Sequence, residues 1–93
     1  MTPVIFRAER RGDFKNDVTA VFPTIAADSC GYGEMVCYAH IGQHSGCSVA
    51  WYQNTRSAKP EEYRDLLKEL VSIGYDDLRI VKRISRTMRD ERR

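Results

Sequence analysis

The sequence predicts an α+β domain, an antiparallel sheet of four to five strands with one amphipathic helix packed on one face, in the order ββββαβ. Three observations lead there. Short runs of alternating apolar and polar residues recur through the first half of the chain, the pattern of half-buried strands. A single apolar stripe at helical spacing follows them. A β-branched run, Leu78 to Ile84, then closes the order as a last strand. With 93 residues the chain is expected to form one domain over 1–93, large enough for one modest core.

The first strand is read over residues 3–9, where Val4, Phe6 and Ala8 alternate with Ile5, Arg7 and Glu9; the first set should face inward. Gly12-Asp13 and Asn16-Asp17 supply turn formers. Val18 to Phe22 forms the second strand, and Pro23, which has no amide hydrogen for the ladder, should end it. Thr24 to Glu34, with Cys30 and Tyr32, is the longest stretch without a period and reads as a loop.

Met35 to Tyr52 holds both histidines, two of the three cysteines and the only tryptophan. It reads as a hairpin around the glycine-bounded link Gly42 to Gly46. Pairing Ile41 with Cys47 puts Cys37, Ala39, Ile41, Cys47, Val49 and Trp51 on one apolar face. Tyr38, His40, Ser48 and Tyr52 fall on the other. Residues 48–54 admit two readings, a continuing strand or a short helix capped by Ser48; the strand is the expectation here.

Asn54 to Lys59 reads as a polar linker. A helix is predicted over 60–73. Lys59 serves as its cap residue, Pro60 suits the first helical position, and Glu61 and Glu62 sit where the helix dipole favours negative charge. Tyr63, Leu66, Leu67, Leu70 and Val71 form the apolar stripe, and Gly74 is the left-handed stop. Lys82 falls at an inward position of the last strand, which marks that strand as short or at an edge. Residues 85–93 read as a basic tail, frayed or one helical turn.

One helix shields one face of a sheet. It is expected on the Cys37 side, leaving the side of Tyr38, His40 and Tyr52 open to water or to a neighbour. Composition narrows the classes further. The chain is 42% hydrophobic and 30% charged, and no apolar run approaches the roughly 18 residues of a membrane span, so no membrane partner is expected. Met1 to Val4 leads into a strand without a signal-type pattern, and three cysteines do not make a disulfide framework; both point to the cytoplasm. Charge is unevenly placed: residues 60–81 carry net −3 and the last twelve residues net +4.

Cys37, His40, His44 and Cys47 have the spacing C-x2-H-x3-H-x2-C, but the two ligand pairs are too close for the chain to fold round an ion. No metal and no cofactor are expected. A Cys47 nucleophile would need His44 from a loop as its base, with nothing evident to orient it. No catalytic residue is therefore assigned.

Cys37 to Ser48, together with Ala20-Val21-Phe22-Pro23 and Lys59-Pro60-Glu61-Glu62-Tyr63, resembles a family of small uncharacterised bacterial and prophage-associated proteins, over most of residues 4–84. That resemblance implies no activity, cofactor or catalytic residue. More distantly, the strand and helix order and Phe22-Pro23-Thr24-Ile25 are similar to HicB-type antitoxin domains, from which the long loop and the extra hairpin strand depart.

The function expected from the residues is a non-enzymatic protein-interaction module, self-associating through the open sheet face, with Tyr38, His40, His44, Ser48 and Tyr52 as the binding surface. The alternative is a phage or mobile-element accessory domain that holds nucleic-acid phosphates through Arg79, Lys82, Arg83, Arg86 and Arg89. A cysteine-based or metal-dependent enzyme is the third reading.

Overall fold

Alternation in β1 (Thr2–Glu9) gives the sheet its two faces, Val4, Phe6 and Ala8 on one and Ile5, Arg7 and Glu9 on the other. The computed structural model describes residues 2–12, 15–26, 35–39 and 43–92, and for Ala26, Gln43, His44, Arg89, Glu91 and Arg92 the backbone alone. Beside β1 lies β2 (Val18–Ala26), then β3 (Met35–Ala39) and β4 (Gln43–Cys47), each antiparallel to the last. On its other side β1 pairs with β5 (Thr55–Ser57) and, in parallel, with β6 (Leu78–Ile80). The sheet order is β4-β3-β2-β1-β5, with β6 on the β1 edge. Among the described residues three helices accompany the sheet: α1 (Val49–Gln53), α2 (Pro60–Ser72) and α3 (Arg86–Arg92). The molecule is thus the α+β sheet with a packed helix that the sequence predicts.

The best-specified element is α2. Lys59 is extended, and the Glu62 carboxylate accepts its N–H at 2.9 Å, closing the first turn. At the other end Gly74 takes φ +121°, Gly74 N–H donates to the Val71 carbonyl and Tyr75 N–H to that of Leu70, so the last carbonyls are satisfied by a Schellman turn.

Two clusters make the core. Val4, Phe6, Ala20, Phe22 and Tyr38 lie under Leu66 and Leu70 of α2, with Tyr63 stacked on Phe6 and Tyr75 on Phe22. Ile5, Val21, Met35, Cys37 and Cys47 form the second, against Trp51 and Tyr52 of α1 and against Val81 and Ile84. Both faces of the sheet are therefore covered, and α2 lies on the Tyr38 side instead of the expected Cys37 side. The reason is in β1. A long helix on the Cys37 side would have to lie over Arg7 and Glu9, whereas the Phe6 side of the same strand offers Val4, Phe6 and Ala8 and no charge.

Other expectations change with it. The hairpin pairs Ala39 with Gln43 and Met35 with Cys47, so the link is residues 40–42, outside the described residues, and Gly46 lies within a strand. β2 continues through Pro23 to Ala26, because its register to β3 shifts between Phe22 and Ala26, where a missing amide hydrogen costs the ladder nothing. The supposed linker contains β5. The last strand ends at Ile80, and Lys82 stands exposed in the turn that follows. Residues 49–53 coil as α1, with Ser48 Oγ accepting the Trp51 N–H at 3.0 Å. The tail is helical over α3, whose Met88 is buried where the helix lies against β2.

Candidate functional site

Two segments descend on the Ile5 side of the sheet, α1 and residues 81–84, and a cleft of about 420 Å³ remains between them. That volume falls within the roughly 300–1,000 Å³ of small-ligand sites. Arg7 of β1 and Ser57, its register partner on β5, close one end. Val49, Tyr52 and Gln53 come from α1, and Lys82, Arg83 and Ile84 from the C-terminal segment. Among the described residues the lining holds three cations and no carboxylate.

Arg7 is fixed in place. Its Nε donates to Thr55 Oγ1 at 2.8 Å, Nη2 to the carbonyls of Thr55 at 2.6 Å and Tyr52 at 3.4 Å, and Nη1 to Ser57 Oγ at 3.2 Å. Its guanidinium carbon stands 4.5 Å from the centre of the Tyr52 ring, a cation–π contact. Most of its N–H donors are thus engaged by neutral oxygens. What it offers a ligand is chiefly charge, because nothing it bonds to here cancels its +1. Lys82 and Arg83 are exposed. The contrasting case is Arg56, whose charge is met by Glu62 through two bonds of 2.8 and 2.6 Å. That pair, with the Lys59 N–H, pulls the Glu62 carboxyl down from 4.5 to about 2.

The residues singled out in the sequence divide between three places. Tyr52, Lys82 and Arg83 meet in the cleft. Arg79, on β6, and Arg86, at the start of α3, are exposed and lie outside its lining; the Arg89 side chain is outside the described residues. Tyr38, at 3% exposure, lies beneath α2, where its hydroxyl donates to the half-buried Glu69 carboxylate. That bond and burial hold its phenol above the usual value of 10.0. Tyr38 and Tyr52 therefore stand on opposite faces of the sheet, and the shared surface expected for them does not form. His40 lies outside the described residues. His44 holds the register position opposite Tyr38, and its side chain is outside them too.

Ser48, besides capping α1, lines a second cleft of about 410 Å³ with Cys37, Cys47, Ser45, Trp51 and Glu9. Cys37 Sγ is 3.3 Å from Ser45 Oγ, and Trp51 Nε1 donates to Glu9 Oε1 at 2.9 Å. Both thiols are buried among apolar residues, at 5% and 7% exposure. Among the described residues no three His, Cys, Asp or Glu side chains converge as metal ligands.

Sequence reasoning missed that Arg7 anchors the cleft. Its alternation with Ile5 placed it on the correct face, but β5, which supplies its partners, is only three residues long and gave no strand signal. Fold and site together define a small α+β domain with a cationic, aromatic-bearing cleft over one sheet face. No family model, curated protein or solved structure matches the chain. No helix among the described residues is long and apolar enough to cross a membrane.

Proposed function

We propose that this protein is a non-enzymatic binding module whose ligand is nucleic acid, held by its phosphates at the cleft between α1 and residues 81–84. One observation carries this reading: Arg7, Lys82 and Arg83 converge beside an aromatic ring in a recess whose described lining residues include no carboxylate. Positive charge gathered in a concavity focuses the field and favours a polyanion. Resemblance to prophage-associated proteins suggests a phage or mobile-element setting, and the odd cysteine count suggests a reducing, cytoplasmic one.

Fluorescence anisotropy with a labelled oligonucleotide at low salt tests the reading. Two phosphate contacts on a single strand, at Lys82 and Arg83, give a slope of about −1.4 in log K against log salt, and Lys82→Glu with Arg83→Glu should abolish binding. A wild-type protein that leaves the oligonucleotide free at low salt would overturn the proposal.

Self-association is retained as a second reading, now at a sheet edge instead of a face. β4 is an edge strand whose sequence, Gln-His-Ser-Gly-Cys, carries neither lysine nor proline, the usual guards against edge pairing. Sedimentation equilibrium should then show mass rising with concentration; a constant monomer mass rejects it.

A further inference from the structure

We infer that the cleft seats one nucleotide unit of a single strand, its base against the wall of Val49, Tyr52 and Ile84 and its phosphate between Lys82 and Arg83. This inference rests on the nucleic-acid reading and deepens it. The cleft is chemically mixed. Its lining carries apolar and aromatic groups, Val49, Tyr52 and Ile84, together with the cations Arg7, Lys82 and Arg83, and Gln53, exposed at the C-terminal end of α1, adds an amide that both donates and accepts. A phosphate alone needs no apolar wall, and an apolar ligand needs no cations. A nucleotide has both parts, joined at a fixed distance.

The shape selects the strand state. Duplex bases are stacked inward and present only a convex backbone, so a recess can receive a base only where the strand is open and the base can be splayed out. Arg7 strengthens this selection. Its engagement with Thr55, Ser57 and the Tyr52 carbonyl keeps the guanidinium from reaching out to a backbone, and its stack on Tyr52 joins a charged plane to the aromatic wall. The exposed donors, Lys82 and Arg83, lie on the opposite, C-terminal segment. A ligand bridging the cleft therefore meets Tyr52 with its anchored Arg7 on one side and the exposed Lys82 and Arg83, beside Ile84, on the other.

The test compares four probes on the full chain: a thymidine oligonucleotide about 12 nucleotides long, an abasic strand of the same length and charge, the matched duplex, and free thymidine monophosphate as competitor. The inference expects the thymidine strand to bind about tenfold tighter than the abasic strand, and tighter than the duplex. Tyr52→Ala should erase most of that preference. Because Tyr52 also packs on the core, Val49→Ser, at an exposed position of the wall, serves as a second wall variant, each checked for folding by circular dichroism. Equal binding of thymidine and abasic strands, or of strand and duplex, overturns the inference while leaving nucleic-acid binding in place. Displacement by micromolar thymidine monophosphate overturns it in favour of a free nucleotide. Failure of every probe removes both this inference and the function on which it rests.

Discussion

Replacing Arg7 by lysine separates charge from geometry at the cleft. The guanidinium spans Thr55 Oγ1, the Thr55 and Tyr52 carbonyls and Ser57 Oγ from a single planar group. An ammonium keeps the +1 charge but cannot reach all of these acceptors at once, because its donors radiate from one atom. Thr55 is only 5% exposed, so water replaces the lost donors poorly. Losing about two bonds worth roughly 1–1.5 kcal/mol each gives a destabilisation of about 2–3 kcal/mol. At roughly 4–8 °C per kcal/mol for a domain of this size, the melting midpoint should fall by about 8–24 °C. Differential scanning calorimetry reads the midpoint directly, and the salt slope of oligonucleotide binding, measured well below it, should stay near the wild-type value. A midpoint within about 3 °C of wild type would refute the argument, since Arg7 would then contribute charge alone.

Three further outcomes follow from the packing and the caps. Leu70 has no exposed surface between α2 and the sheet, so Leu70→Ala should cost about 2–5 kcal/mol in urea unfolding; a loss under about 1 kcal/mol would show that α2 does not clamp this face. Ser48→Ala removes the cap of α1 and should cost about 0.5–2 kcal/mol, with a red shift of Trp51 emission as the helix frays; an unchanged spectrum and midpoint would deny the cap its role. Glu62 has a folded value near 2 against 4.5 as its ordinary value, so the unfolded chain binds the proton more readily between them. Its contribution is therefore fully present above about 4.5 and lost as pH falls toward 2; Glu62→Gln should flatten the stability profile across that window, and a parallel profile counts against the Arg56 pairing.

The elements legible in the sequence were those whose signal is local. Pro60, the Leu66/Leu70 stripe and Gly74 identify α2 within one residue of its observed end, since caps and period act within a single turn. β1, β2 and β3 were legible from alternation and β6 from its β-branched run, but β4 was not, because its residues read as the hairpin link. Alternation shows two faces but not which one a helix takes, and Tyr38, amphipathic, fitted either. Arg7 and Glu9 held the deciding information, because the long apolar stripe of α2 over them would bury two unmatched charges, whereas the short α1 meets them with Trp51 and Tyr52. α1 stayed ambiguous because Val49, Ala50, Trp51 and Tyr52 suit a strand, and only the cap by Ser48 tipped them to a helix. The cationic residues Lys82 and Arg83 were legible as candidates from charge alone. Their meeting with Arg7 was not, since it depends on β6 running parallel to β1 and returning the chain to its first strand.

That return has a consequence for how the protein comes into being. The recess draws one wall from the first strand of the chain and another from the segment after the last, so neither a nascent chain still lacking residues 81–84 nor a partly melted molecule with β6 detached has a place for a ligand. On the proposed reading, occupancy and completed folding would rise together, and a bound strand would in turn resist the peeling away of the C-terminal segment that forms its far wall.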